Sequence, residues 1–264
     1  MSRPADGDDD AEVSRDPWHA LASLTPARIA LGRTGSALPT TRHLELQLAH
    51  ALARDAVQRT FDADALVAAL HADGREVLRI HSAARDRREY LERPELGRRL
   101  GERAEPVLAA HASEWDVAFV VGDGLAPLAA ERHASSLIRA ITARLDASWR
   151  IAPVVVAEQA RVALGDPVGA ALGARLVAVL LGERPGMSAH DSLGVYVTWA
   201  PRTGRTDAER NCVSNVRPEG LGYDAAAVTI AWLLHEARRR AVTGVGLRVE
   251  LPREFRERSI ESGN

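Results

Sequence analysis

Four short stretches hold the residues that could do chemistry. Three of them follow apolar runs: Gly122-Asp123-Gly124, residues 158–162 (EQARV) and residues 182–186 (GERPG). A carboxylate or guanidinium on such a turn can accept from or donate to a ligand. A solvated turn that only ends a strand has the same composition. The fourth stretch, Asn211-Cys212-Val213-Ser214-Asn215, offers a thiol, two amides and a hydroxyl on small residues that let a flat ligand approach. Cys212 is the sole cysteine. A lone thiol is a nucleophile in some enzymes and more often a small buried residue.

The common catalytic patterns do not occur. There is no G-x-G-x-x-G after a strand and no phosphate-binding G-x-x-x-x-G-K-[ST]. There is no G-x-S-x-G elbow for a nucleophilic serine. The nine histidines show no metal-binding spacing. His190 and Asp191 are adjacent, and neighbours on a strand point to opposite faces. All 34 basic residues are arginine, which removes a Schiff-base lysine. We expect no catalytic residue and no metal site in this chain.

The elements that must position these stretches follow from hydrophobic pattern. Residues 176–181 are an unbroken apolar run, as in a strand buried on both faces of a parallel sheet. The run stops at GERPG, because two glycines and a proline cannot continue a central strand. Residues 116–121 and 151–156 read as two earlier strands and 194–198 as a fourth. Residues 135–147, 166–173 and 223–240 read as helices between and after them. If the strands are parallel, the three glycine- and charge-bearing loops meet at one sheet edge, where open α/β sheets bind ligands.

The first hundred residues read as helical. Residues 41–58 repeat Leu44, Leu48, Ala51 and Leu52 at helical spacing, so an amphipathic helix is expected. Residues 64–72 continue helical to a stop at Asp73-Gly74. In the arginine-rich 80–103, Pro94 suits the first turn of a helix running through Leu96, Leu100 and Val107. The expected organisation is a disordered leader (1–16), a helical N-terminal domain (17–104) and a ligand-contacting α/β domain (105–264). The α/β part is expected to be a doubly wound, mainly parallel sheet of Rossmann or flavodoxin type, with a polar tail frayed from about Arg256.

Composition narrows the function. The 264 residues are 46% hydrophobic with a net charge of −2. A sizeable core is possible, and charge-driven binding to nucleic acid or membrane is not expected. A single cysteine suits a reducing cytoplasm. No stretch has a secretory or membrane-spanning pattern.

Several segments resemble the small (light) subunit of adenosylcobalamin-dependent ethanolamine ammonia-lyase. Residues 28–35 (RIALGRTG), 90–100 (YLERPELGRRL) and 116–125 (DVAFVVGDGL) are similar to family segments in family order. GERPG and residues 207–215 (DAERNCVSN) are the most specific. The resemblance implies a large-subunit barrel that binds ethanolamine and carries the radical chemistry, in a hexamer of heterodimers. The small subunit would help enclose adenosylcobalamin, with corrin contacts at Val162, Glu183 and Cys212. Amine migration would then release acetaldehyde and ammonia. The family's Gly-Arg-Val stands here as Ala160-Arg161-Val162. Some members enter a bacterial microcompartment through an amphipathic leader, and residues 1–16 lack that periodicity. Asp-x-His-x-x-Gly, the mark of base-off cobalamin enzymes, is absent, which suits base-on binding. The alternative is a stand-alone nucleotide- or flavin-binding α/β enzyme.

Overall fold

The computed structural model describes residues 16–25 and 27–250. The expected leader, apart from Asp16, and the expected frayed tail lie outside the described residues. The chain divides into two compact units. One comprises residues up to Arg54 with Gly186–Ser188, and the other comprises Asp55–Pro185 with residues from Ala189 onward.

The larger unit is a mixed α/β structure around one six-stranded sheet. Its strands are β1 (Val77–His81), β2 (Trp115–Gly122), β3 (Val154–Glu158), β4 (Ala174–Gly182), β5 (Leu193–Trp199) and β6 (Arg210–Val216). They lie in the order β1-β3-β2-β4-β5-β6. Pairs β1–β3, β3–β2 and β2–β4 are parallel. Pairs β4–β5 and β5–β6 are antiparallel.

Apolar residues fill both faces of the central strands, so each face carries a core. One face packs Val117, Phe119, Leu176 and Leu180 against α2 (Ala63–Ala72), α5 (Pro127–Thr142) and α7 (Tyr223–Arg240). The other packs Val120, Val155, Val177 and Val179 against α4 (Ala104–Ala109) and α6 (Gly165–Leu172). Local signals set the helix ends. The Asp62 side chain caps α2 by accepting from the Ala65 N–H. Pro127 opens α5 in the first turn, where its missing N–H costs no helical hydrogen bond. Gly173 closes α6 in the left-handed region, φ +74°.

Three readings of the sequence need correction, and a fourth, which holds, gains a detail. Residues 77–81 form a strand inside the stretch read as helical. It escapes a hydrophobic search because exposed Arg79 interrupts it, as suits an edge strand, and Glu158 and Asp64 pair with that arginine. The expected helix from Pro94 to Val107 is replaced by a single turn at Leu96–Arg98 and then α4, and a short helix, α3 (Arg87–Glu92), precedes the proline. Between the turn and α4, Leu100 bridges to Ser82 and Gly101 donates to the His81 carbonyl, so the backbone is committed elsewhere. Residues 210–216 form β6, a strand absent from the four expected. Its alternation is hidden because Asn211, Cys212, Ser214 and Asn215 leave only Val213 and Val216 as apolar markers. The helix over 41–58 is present as α1 (Thr40–Gln58), yet Leu44, Leu48 and Leu52 are 56%, 61% and 43% exposed. Its apolar stripe is therefore not a core face among the described residues.

Candidate functional site

Because β2, β3 and β4 are parallel, the loops GDG, EQARV and GERPG leave the sheet at one edge, as the pattern required. The loop after β2 is wedged against the end of β4. Leu125 donates to the Gly182 carbonyl at 2.9 Å. A Cβ on Gly182 would sit 2.0 Å from the Ala126 carbonyl oxygen, so only glycine fits where the strand ends. Glu183 follows immediately from this fixed point.

The Glu183 carboxylate lies across β5. A Cβ on Gly194 would meet Glu183 Oε1 at 2.9 Å, so Gly194 leaves the space that the side chain occupies. The Ser192 hydroxyl donates to Oε2. So does the Asn215 backbone N–H, at 3.1 Å. Asn215 occupies a bulge, where the β5–β6 register shifts between Leu193 and Val195, and it takes φ +58°. Bulges re-aim backbone groups in this way, and asparagine tolerates the left-handed region better than most residues. Glu183 is thus held in one place by its own fold.

Cys212 sits beside it. It lies opposite Tyr196 in the β5–β6 register, so both side chains leave the same face of the sheet. Tyr196 is half-buried and Cys212 exposed. Although the residue is exposed, partial desolvation of its sulfur pushes the Cys212 thiol up, the hydrogen bond with Tyr196 opposes this, and the Glu183 charge adds to it. Burial, together with Cys212 and Glu183, also holds the Tyr196 hydroxyl well above its ordinary value. At neutral pH both are uncharged hydrogen-bonding groups, which argues against Cys212 as a nucleophile.

Val162 lies on the same face, packed with Tyr196 against the core cluster of that side. It opens a short 3-10 turn, Val162–Leu164, that leads into α6. The structure therefore brings Glu183, Cys212 and Tyr196 into one group, while Val162 lines a separate small pocket with Arg98 and Arg161.

The loop before Val162 is clamped on three atoms. Asp123 accepts from the Ala160 N–H at 2.9 Å, and the Tyr90 hydroxyl donates to the Ala160 carbonyl at 3.1 Å. The Arg161 N–H donates to the Gly97 carbonyl at 2.8 Å. A Cβ on Gly97 would meet Arg161 Cγ at 2.8 Å and the Gln159 carbonyl oxygen at 3.0 Å, which explains the glycine in YLERPELGRRL. Arg87 pairs with Asp123 at 3.1 Å, and Arg87 and Arg161 both lie over the Tyr90 ring, at 4.9 and 4.2 Å from its centroid. Burial pushes the Asp123 carboxyl up to about 6, opposed by the Ala160 N–H and by Arg87. Ala160 in place of the family glycine is accommodated, because in this loop it is Gln159, not Ala160, that takes positive φ.

Sequence reasoning missed Ser192 and Tyr196, and it named Asn215 without the backbone contact to Glu183 that the bulge provides. Only the alternation of GVYVT marked Tyr196, while Ser192 and Asn215 are set by a bulge that no local pattern announces. It also missed that Asp191 approaches a histidine other than its neighbour. His133 Nε2 is 3.8 Å from Asp191, and His133 Nδ1 is 2.6 Å from the Tyr223 hydroxyl. Burial pushes the His133 imidazole down, towards the neutral form.

Among the described residues no group of three or more His, Cys, Asp or Glu is placed to hold a metal ion. No helix among them is long and apolar enough to cross a membrane. The arrangement is an open face of hydrogen-bonding groups on a braced α/β sheet.

The chain belongs to the ethanolamine ammonia-lyase light-chain family. The model of the family described as "Ethanolamine ammonia-lyase light chain (EutC)" matches residues 15–248. The ethanolamine ammonia-lyase small subunit of Ralstonia nicotianae is 55% identical over 246 residues, covering 91% of each chain. The protein of the same name from Xanthomonas campestris is 53% identical, covering 90% of each. That of Azotobacter vinelandii is 51% identical, covering 92% of each.

Proposed function

We propose that this chain is the small subunit of an adenosylcobalamin-dependent ethanolamine ammonia-lyase and that its β4–β6 face contacts the cofactor. Cobalamin, when bound, supplies an organic radical through homolysis of its cobalt–carbon bond. The residues that would hold it are Val162, Glu183 and Cys212. The observation that supports this most is the pinned Glu183 carboxylate beside a neutral thiol and a neutral phenol on an open face. A corrin ring is rimmed by carboxamides, and a fixed carboxylate accepts from amide N–H groups without having to be ordered first. Cys212 and Tyr196 bring no second negative charge to oppose that contact.

In this reading the chain binds and orients, and it excludes water from one side of the cofactor. Ethanolamine and the migrating amine belong to a large-subunit partner, in a hexamer of heterodimers. The exposed leucines of α1 are the kind of surface a second chain covers. We read the parallel strands with their flanking helices as a doubly wound, Rossmann-like arrangement, whose carboxyl edge is the usual ligand edge. A lone cysteine fits a cytoplasmic setting, and a microcompartment is an open destination within the same reading.

The test is co-expression with a cognate large subunit, followed by an acetaldehyde assay with ethanolamine and adenosylcobalamin. Activity is expected only when both chains and the cofactor are present. Activity of this chain alone, or a folded large subunit that neither binds it nor turns over with it, would contradict the proposal.

A further inference from the structure

Glu183 is held by two neighbours, the Ser192 hydroxyl and the Asn215 N–H. Each neighbour is itself tied to a second point. Ser192 follows Asp191, whose carboxylate pairs with Arg132 of α5 at 2.9 Å. The Asn215 carbonyl accepts from the Leu221 N–H at 2.8 Å, two residues before Tyr223 opens α7. Asp191 and Tyr223 then converge on one side chain, His133 of α5, which is 4% exposed.

The two contacts of this imidazole are unlike. Its Nδ1 is 2.6 Å from the Tyr223 hydroxyl, and its Nε2 is 3.8 Å from the Asp191 carboxylate. Hydrogen-bond chemistry assigns the ring proton to Nε2: the phenol donates to Nδ1, and an N–H rather than a lone pair then faces the carboxylate. Burial keeps the ring neutral, with Asp191 and Glu219 opposing this and Arg132 assisting it. Nε2 has no hydrogen-bond partner among the described residues. A leucine would fill the same space without leaving a buried donor unpaired, so packing alone does not account for an imidazole here.

We propose that His133 is a positioning residue for cofactor binding, clasping Asp191 and Tyr223 and so fixing both supports of the Glu183 carboxylate. The inference rests on the cobalamin reading above. His133 itself touches no ligand. It acts through Asp191 and Ser192 on one side, and through Tyr223, Leu221 and Asn215 on the other. A carboxylate already in place accepts from a corrin amide without first losing side-chain freedom. With the clasp removed, Glu183 keeps its charge and loses its fixed position, so part of the affinity goes into ordering it.

The test is a double-substitution cycle on the complex of this chain with its large subunit, read as the Kd of cyanocobalamin. His133→Leu removes both contacts and keeps the site filled. We expect Kd to rise about fivefold, as for one side chain that must be ordered on binding. In a Glu183→Ala background the same substitution should change Kd by less than about twofold, because the residue through which His133 acts is gone. Tyr223→Phe, which loses only a hydroxyl at a half-buried site, carries the same comparison if His133→Leu does not fold, with a rise of about threefold expected. Weakening of equal size in both backgrounds would mean general damage to the fold and overturn the inference. No change in the parent background would overturn it too, and both results leave the cobalamin reading standing. Failure of the unsubstituted complex to bind cyanocobalamin would overturn that reading and this inference with it.

Discussion

The parallel half of the sheet and its antiparallel edge use the same strand chemistry for different ends. In the parallel half, helices pack on both faces, and β2 and β4 are buried almost throughout. At the edge, Val195, Val197, Val213 and Val216 are buried on the α7 side, whereas Cys212 is exposed and Tyr196 half-buried on the other. The difference shows where a sheet can afford a site. A face covered by helices supplies rigidity, and a face left uncovered supplies contact. The two halves are joined by Arg210 at the start of β6, which makes two 2.7 Å bonds to Asp166 of α6 and a third to Thr198 at 3.0 Å, all buried.

That junction is the strongest lever on the comparison. Asp166→Ala leaves the buried Arg210, among the described residues, with only the fully exposed Asp207, 3.6 Å away, as an acidic partner, and we expect a loss of about 3–5 kcal/mol in stability. Chemical denaturation would check this. A loss under about 1 kcal/mol would mean that β6 is held to the rest of the sheet in some other way.

A smaller change attacks the wedge under Glu183. Gly182→Ala drives a Cβ against the Ala126 carbonyl, and overpacking of this kind costs about 1–3 kcal/mol. It should also weaken corrinoid binding by the complex, because Glu183 is the next residue. Weaker binding with unchanged stability, or the reverse, would separate the frame from the face. Glu183→Ala is the cleaner probe of the face alone. We expect the chain to stay folded, with a melting temperature lowered only modestly by the loss of the Ser192 and Asn215 hydrogen bonds, and corrinoid affinity lower by about tenfold, the size of one hydrogen bond to a charged group. Equal affinity in variant and parent would remove Glu183 from the contact.

The last effect, read from pH alone, concerns the brace in the parallel half. Asp123 titrates near 6 when folded, against an ordinary value of 3.8. Between those values the folded chain holds a proton that the unfolded chain has released. Stability from this group therefore falls as pH rises through that window and levels off above about 6. Asp123→Asn has no such titration. The stability of the parent relative to the variant should thus shrink from pH 4 to pH 7. A difference that is constant, or that grows, would mean the carboxyl stays ionised throughout.

The same contrast explains what could be read in advance. The strands of the covered half announce themselves, because burial on both faces demands unbroken apolar runs such as residues 176–181. From those runs the shared loop edge followed, and the structure bears it out. The strands β1 and β6 did not announce themselves, since one is broken by Arg79 and the other has polar residues on its open face. The face that makes the site is therefore the part with the weakest hydrophobic signal. The motif residues illustrate the limit further. In DAERNCVSN, Arg210 ties β6 to α6. Asn211 pins the segment after α7 by bonds to Gly244 and Leu247. Only Cys212 and the bulge at Asn215 belong to the candidate site. A motif marks where the chain is constrained, and the structure is needed to say which constraint is packing and which is contact.

The most direct test of the central claim uses the single cysteine. In the complex with the large subunit, Cys212 would be labelled with a maleimide with and without cyanocobalamin, and its modification followed by mass spectrometry of this chain. If the β4–β6 face meets the cofactor, cyanocobalamin should slow labelling in proportion to the occupied fraction, and Glu183→Ala should reduce that protection at equal ligand concentration. Labelling at the same rate in the presence of saturating, demonstrably bound cyanocobalamin would contradict the claim and move the cofactor away from this face.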